Sequence, residues 1–204
     1  LAEACLLRKV RSLTIVEAAD HVLTTFDDEF GEAAVAELQK HGVKVCLSQR
    51  VTGFAGDNGH VTAVLTDGGE VKADAVILSI GVRPNTRMIE GVDKLPNGAL
   101  ITDTAMRTSD PDIYAAGDCA TVLHRVLQKP VYLPLGTNAN KQGRLAGDSM
   151  LGKPVCFDRA LGTSMLRLMG LEFACTGVNE KTAKAQGIPY KANTVTARSH
   201  AIYY

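Results

Sequence analysis

Residues 13–47 read LTIVEAADHVLTTFDDEFGEAAVAELQKHGVKVCL. The apolar runs at 13–16 and 43–47 predict two short strands. Between them, the acidic pair at 27–28 opens a predicted helix, and Gly42 ends it. The helix places three apolar side chains on one face: Phe30, Ala34 and Leu38. Strand, helix and strand in this order are typical of a parallel α/β sheet.

The flanking sequence extends this pattern on both sides. Helical spacing over residues 1–10 predicts a helix before the first strand. After the second strand comes a polar antiparallel insert with a turn at 57–59. Its predicted strands lie near residues 49–56, 60–66 and 70–72. The run AVILSI at 75–80 is wholly apolar, which predicts a strand that returns to the sheet with both faces covered.

The second half of the chain predicts two further units. A linker at 96–98 leads to an apolar strand at 113–116, which ends in Gly117 and Asp118. A helix follows over 136–151. An apolar segment after Phe157 then begins a third unit. We predict an α/β protein with a doubly wound, Rossmann-like NAD-binding domain at 1–98, part of a FAD-binding domain at 99–154, and the start of an α+β dimerisation domain at 155–204.

Composition excludes several classes of protein. The 204 residues hold 22 basic and 22 acidic side chains, and 46% are hydrophobic, so neither disorder nor nucleic-acid binding is indicated. No apolar run is long enough to cross a membrane. The five cysteines are scattered and the histidines lack metal-ligand spacing, which favours reduced thiols, a cytoplasmic protein and no metal site. The chain starts without Met and ends abruptly, so we expect truncation at both ends.

Two strand ends carry candidate binding residues. Glu17 follows the first strand of the quoted stretch, where a carboxylate can accept both hydroxyls of an adenosine ribose. A solvated glutamate at a strand end is an equal alternative. Gly117 would let a backbone approach a ligand closely, and Asp118 could bind a polyol. Asp118 could equally cap the following helix.

Residues 108–120, TSDPDIYAAGDCA, resemble the second flavin-contacting motif of the pyridine nucleotide disulfide reductases nearly letter for letter. The resemblance extends over nearly the whole chain, including residues 79–85 and 134–144. Within that family, the chain is most similar to coenzyme A disulfide reductase, through residues 124–125 and 129–134. NADH oxidases and peroxidases share the remaining motifs.

The resemblance implies FAD and NADH or NADPH as cofactors. Gly117 and Asp118 would contact the ribityl or phosphate part of FAD. Three residues would lie at the flavin ring, where a helix N-terminus stabilises negative charge: Leu135, Gly136 and Thr137. Glu17, Phe26 and Gly81 would line the NAD site, although Phe26 could equally belong to the core.

The resemblance also implies an enzyme. Electrons would pass from NAD(P)H through FAD to a cysteine and then to a disulfide such as coenzyme A disulfide. The redox cysteine is absent from this chain, so we expect the fragment alone to be inactive. Tyr203 or Tyr204 would reach the redox centre of the partner subunit in a homodimer, or simply pack at the interface. The alternatives are an NADH oxidase or peroxidase acting on oxygen or peroxide, and a non-catalytic nucleotide-binding module.

Overall fold

The structure is a computed structural model that describes residues 1–198. Its helices are α1 (Ala2–Leu7), α2 (Asp28–Lys40), α3 (Gly136–Met150) and α4 (Glu180–Ala185). Its strands are β1 (Thr14–Val16), β2 (Lys44–Cys46), β3 (Val51–Asp57), β4 (His60–Thr66), β5 (Gly69–Lys72), β6 (Val122–Leu123), β7 (Pro130–Val131), β8 (Ser164–Leu168) and β9 (Leu171–Cys175). This mixed α/β architecture confirms the predicted fold class.

The first unit is built on the predicted strand–helix–strand. β1 and β2 pair in parallel, with Ile15 opposite Val45. The intervening α2 covers them and buries Ala34 and Leu38, which are 0% and 2% exposed. Phe30 departs from the prediction, because 44% of it is exposed.

The antiparallel insert forms as predicted. β3, β4 and β5 make a three-stranded sheet in sequence order. Asn58 and Gly59 connect β3 to β4, with φ angles of 49° and 81°. Both residues therefore occupy the left-handed region that a tight two-residue hairpin requires, and Asn-Gly meets that requirement with little strain.

Residues 75–80 do not form the predicted strand. The segment has no strand assignment, and its apolar side chains face solvent, with Ile77, Leu78 and Ile80 at 62%, 64% and 90% exposed. A strand needs a neighbour that accepts and donates its backbone hydrogen bonds. Among residues 1–198, the parallel sheet contains only β1 and β2, so nothing pairs with this run. Its apolar sequence specifies a buried strand only when such a neighbour is present.

The segment before Asp118 also differs from its prediction. Residues 113–116 form a single antiparallel bridge, between Tyr114 and Arg107, instead of a strand. A 3₁₀ turn at Gly117–Cys119 follows directly. Beyond it, α3 begins where predicted and ends one residue before the predicted end. A core cluster of Met106, Val122, Ala146 and Phe157 joins α3 to these loops.

The hairpin of β8 and β9 packs against α2. Phe173 on β9 is 6% exposed and meets Phe26 edge to face, with ring centroids 6.0 Å apart. Leu166 and Leu168 lie on the same buried face, whereas Met165 points outward and is 80% exposed. Several apolar side chains of the predicted dimerisation domain thus pack within the chain. The dimer itself stays a prediction.

Candidate functional site

Glu17 lies where β1 ends and is held by short-range hydrogen bonds. Its backbone N–H donates to the Cys46 carbonyl at 2.9 Å, which extends the β1–β2 pairing by one residue. Its carboxylate oxygen Oε1 accepts the Ala19 N–H, also at 2.9 Å. The side chain is half-buried and fixed in direction. Its second oxygen has no hydrogen-bond partner among the described residues, so the carboxylate can accept a ligand hydroxyl.

The loop after Glu17 is anchored to the start of α4. The Asp27 carboxylate accepts the backbone N–H groups of Glu180 and Lys181, at 3.2 and 3.0 Å. The Asn179 amide donates to the Thr25 carbonyl at 3.2 Å. These contacts span more than 150 residues of sequence, and no local pattern predicts them.

Phe26 and Gly81 differ in how open they are to a ligand. Phe26 is 4% exposed, and its ring packs between Phe30 and Phe173. This burial favours the core alternative, and a direct contact with NAD stays a prediction. Gly81 has a φ of 88°, a conformation that side-chain-bearing residues rarely adopt. No described atom lies within 4 Å of the position that its Cβ would occupy.

The Gly117–Cys119 turn presents an exposed carboxylate. Gly117 has a φ of 81°, and the Ala120 N–H donates to its carbonyl at 3.0 Å. Asp118 is exposed at the centre of this turn. Partial burial raises the pKa of the nearby Tyr132 hydroxyl, and the charges of Asp118 and Cys119 raise it further. The Tyr132 phenol therefore keeps its proton to a higher pH than a free tyrosine does.

The N-terminus of α3 lies beside this turn. A Cβ added to Gly117 would lie 3.6 Å from the Ala139 Cβ, in the first turn of the helix. Leu135 precedes the helix and provides no side-chain cap, and Gly136 and Thr137 are exposed. The first backbone N–H groups of a helix have no partner within the helix. They can therefore donate to a ligand, while the helix dipole favours negative charge at this end.

The structure thus brings together two predicted groups of residues, 117–118 and 135–137. The Asp118 carboxylate can accept hydrogen bonds from hydroxyl groups. The uncapped N-terminus of α3 can donate hydrogen bonds to an anionic ring or a phosphate, and Gly117 leaves room for a ligand at the backbone. This donor set fits FAD, which combines a polyol, phosphates and a ring that becomes anionic on reduction. Glu17 fits the ribose of a nicotinamide nucleotide, because its carboxylate can accept hydrogen bonds from the ribose hydroxyls.

A groove that sequence reasoning missed begins at Leu135 and Thr137 and runs between α3 and residues 156–163. Its volume is about 560 Å³. Its walls carry three cations and one carboxylate: Lys141, Arg144, Arg159 and Asp158. In the sequence, only the three-residue spacing of Lys141 and Arg144 on α3 indicated that their side chains share one helix face. The contribution of the 156–163 segment depends on the tertiary fold.

The burial of His124 was also not predicted. His124 is 4% exposed, and its ring nitrogen Nδ1 accepts the N–H groups of Val126 and Leu127 at 3.1 and 3.2 Å. Burial lowers the pKa of His124, although a hydrogen bond to the Gly177 backbone opposes the shift. The His124 ring is therefore buried in its neutral form, and the two N–H groups that donate to Nδ1 fix its orientation.

Tyr203 and Tyr204 lie outside the described residues, so their proposed role at the partner's redox centre stays a prediction. No helix among residues 1–198 has the length and apolar character needed to span a membrane.

The chain combines parallel strands that end in a carboxylate suited to a ribose with a glycine–aspartate turn beside a helix N-terminus. This combination is typical of α/β proteins that bind dinucleotides. Comparisons with known proteins are more specific. Residues 1–143 match the family described as pyridine nucleotide-disulphide oxidoreductase. That match covers more than half of the chain, so the chain belongs to this family. The cofactor prediction is confirmed at this level, because the family uses FAD together with NADH or NADPH.

Individual relatives refine the comparison. The NADH oxidase of Enterococcus faecalis is 38% identical over 185 residues, which cover 89% of this chain and 42% of the relative. The CoA-dependent NAD(P)H sulfur oxidoreductase of Pyrococcus furiosus is 35% identical over 207 residues, covering 100% of this chain and 46% of the relative. The structure of reduced Bacillus anthracis CoADR-RHD superimposes with a TM-score of 0.85 at 33% identity, covering 95% of this chain and 35% of that one. The chain thus spans less than half the length of these relatives.

Proposed function

We propose that the protein containing this chain is a FAD-dependent NAD(P)H:disulfide oxidoreductase whose substrate is a coenzyme A disulfide. In the net reaction NADH and one proton reduce the disulfide, and the products are NAD⁺ and two thiols. The observation that carries the substrate class is the basic groove at the N-terminus of α3. The names of relatives that depend on CoA or belong to the CoADR type support the same class.

The charges of the groove suit a phosphorylated substrate. Lys141, Arg144 and Arg159 line it, and its one carboxylate, Asp158, also lies 4.0 Å from Arg125 outside the groove. The net positive charge is therefore available to a ligand. Coenzyme A carries three phosphate groups at its adenosine end, and a long flexible arm joins them to the sulfur. With these phosphates in the groove, the arm would direct the sulfur toward the helix N-terminus, where the flavin ring is proposed to lie.

Each predicted cofactor residue receives a proposed role. Glu17 binds the ribose hydroxyls of NADH, and Gly81 allows the cofactor to approach the backbone. Phe26 is buried in the core and supports the loop that follows Glu17. Gly117 and Asp118 hold the ribityl or phosphate part of FAD. The three residues that open the next helix lie against the flavin ring: Leu135, Gly136 and Thr137. When bound, the two cofactors supply the hydride and electron transfer, while the chain positions them and adjusts their electrostatics.

Assembly and location belong to the same proposal. The protein is a homodimer whose interface includes the segment that holds β8, β9 and α4. The described cysteines are free thiols, which fits the reducing environment of the cytoplasm.

A second candidate function is NADH oxidase or peroxidase activity. The 38% identity to the Enterococcus faecalis NADH oxidase favours it. Oxygen and peroxide carry no charge that would require a basic groove. The two candidates therefore differ in whether the groove matters.

The deciding experiment compares acceptors in the full-length protein. NADH oxidation is measured anaerobically with coenzyme A disulfide and separately in air without it. Arg144→Ala removes one groove cation, and Lys153→Ala is the control. Lys153 lies just beyond the other end of α3 and pairs with Asp148 at 2.6 Å. A charge-assisted hydrogen bond contributes about 1.5–3 kcal/mol, so the KM for the disulfide is expected to rise about tenfold or more in Arg144→Ala alone. Rapid oxidation in air, no reduction of the disulfide and no effect of Arg144→Ala would favour the oxidase.

A further inference from the structure

Gln142 is among the most completely buried side chains of the chain, with 1% of it exposed. Its amide oxygen accepts the Gly117 N–H at 3.0 Å. Its amide nitrogen donates to the Thr121 carbonyl, also at 3.0 Å. One side chain thus holds both flanks of the short segment that presents Asp118.

The position of Gln142 on α3 relates this turn to the start of the helix. Gln142 follows Ala139 by three residues and precedes Ala146 by four, so the three share one helix face. That face contacts the turn, because Ala139 packs at Gly117 and Ala146 belongs to the core cluster. The same helix begins at Gly136, beside the proposed flavin ring. Gln142 therefore fixes the separation between the turn and the helix N-terminus.

We propose that Gln142 is a positioning residue for FAD. It does not touch the cofactor. It acts through Gly117, by holding the Asp118 turn at the distance from the α3 N-terminus that one FAD molecule must span. The inference rests on the proposed function, since it assumes that both elements contact FAD.

An amide is the side chain that this position requires. Gly117 presents a donor and Thr121 an acceptor, and a terminal amide matches both at once. Methionine has a similar volume but leaves the Gly117 N–H without its partner. A buried polar group without a partner costs about 1–3 kcal/mol, so the turn is expected to shift or loosen. FAD binding must then restore the turn, which weakens the apparent affinity.

Thr102 offers a matched control in the same buried network. Its hydroxyl donates to the same Thr121 carbonyl at 3.2 Å, and its backbone N–H donates to the Thr121 hydroxyl, also at 3.2 Å. Thr102 is 8% exposed and makes no hydrogen bond to Gly117. Thr102→Val therefore removes a buried hydrogen bond without releasing the turn at its glycine.

The test uses the full-length protein freed of FAD and titrated with FAD, with bound flavin followed by fluorescence. Hydrogen exchange of the Gly117 amide and thermal unfolding of the apoprotein are measured in parallel. Gln142→Met is expected to raise the Kd for FAD about tenfold or more and to speed exchange at Gly117. Thr102→Val is expected to lower the unfolding temperature while leaving the Kd within about twofold of the wild-type value.

Gln142→Glu supplies an independent measurement if the methionine variant folds poorly. A protonated carboxyl can both accept from Gly117 and donate to Thr121, whereas the ionised form has no proton to donate. FAD affinity is therefore expected to approach the wild-type value at acidic pH and to fall as the pH rises. The wild-type protein and Thr102→Val are not expected to show this trend.

Three outcomes are distinguishable. Weaker FAD binding in Gln142→Met, together with the pH trend in Gln142→Glu, supports the positioning role. Loss of stability in Gln142→Met with an unchanged Kd for FAD would overturn it and leave Gln142 as a packing residue. Failure of the wild-type full-length protein to bind FAD would instead overturn the proposed function.

Discussion

We expect the full-length protein to prefer NADH, because the Glu17 carboxylate would repel the 2′-phosphate of NADPH. Replacing Glu17 with glutamine is expected to weaken this preference. Glutamine has nearly the same shape as glutamate, and its amide oxygen can keep the 2.9 Å hydrogen bond from the Ala19 N–H. The backbone bond from Glu17 to Cys46 is also unaffected. The substitution therefore removes the negative charge while the β1 terminus keeps its geometry.

The size of the effect follows from Coulomb's law. Glu17 is half-buried, so an effective dielectric constant between the values for a protein surface and for water, about 40, is appropriate. At about 5 Å, two unit charges then repel by about 1.7 kcal/mol. The 2′-phosphate of NADPH carries about −1.5 to −2 charges at neutral pH, which gives a total of about 3 kcal/mol. Loss of this repulsion corresponds to roughly a 100-fold change in relative preference.

The assay is steady-state kinetics of the full-length protein with each nucleotide, at low and high salt. The ratio of kcat/KM values for NADH and NADPH is expected to fall in Glu17→Gln, and the wild-type ratio is expected to fall as salt screens the charge. Glu70→Gln, on the exposed β5 strand, is the control for a general change in charge. An unchanged ratio in Glu17→Gln, or a wild-type preference for NADPH, would refute the assignment.

Three further changes test other parts of the structure. Phe173→Ala is expected to cost about 3–5 kcal/mol of stability in denaturant unfolding, because it empties a buried aromatic site, whereas the exposed Met165→Ala costs under about 0.5 kcal/mol. Gly117→Ala places a side chain at a φ of 81°, a strain of about 1–2 kcal/mol, and is expected to lower the FAD content measured after dialysis. Burial lowers the pKa of His124 below its ordinary value of 6.5. The contribution of His124 to the free energy of unfolding is therefore fully present above pH 6.5 and is lost as the pH falls through the lower pKa of the folded state. His124→Asn is expected to flatten this pH dependence in unfolding measurements.

Local sequence predicted the elements whose stabilising contacts are themselves local. The α2 helix, the Asn58-Gly59 turn and the end of α3 near Gly152 all follow from helix periodicity, from turn chemistry or from a residue at positive φ. Residues 75–80 and 113–116 were predicted as strands and are not. A strand is a property of two segments, and an apolar run contains no information about whether its neighbour is present.

In the candidate site, too, local sequence predicted some residues and not those that depend on the tertiary fold. Glu17 and Asp118 stand out because each ends an apolar run, and the motif around Asp118 indicated the family. Gln142 could not be identified, because a glutamine on a helix is usually exposed, and only the tertiary fold brings it to Gly117 and Thr121. Sequence patterns thus predict the groups that meet a ligand more readily than those that hold them in place.

The most direct test of the central claim is an anaerobic titration of the FAD-loaded full-length protein with NADH, followed by addition of coenzyme A disulfide. The proposal predicts that NADH bleaches the visible flavin absorbance, and that the disulfide restores it while two thiols appear per NADH oxidised. Bleaching that oxygen reverses but the disulfide does not would contradict the disulfide reductase proposal.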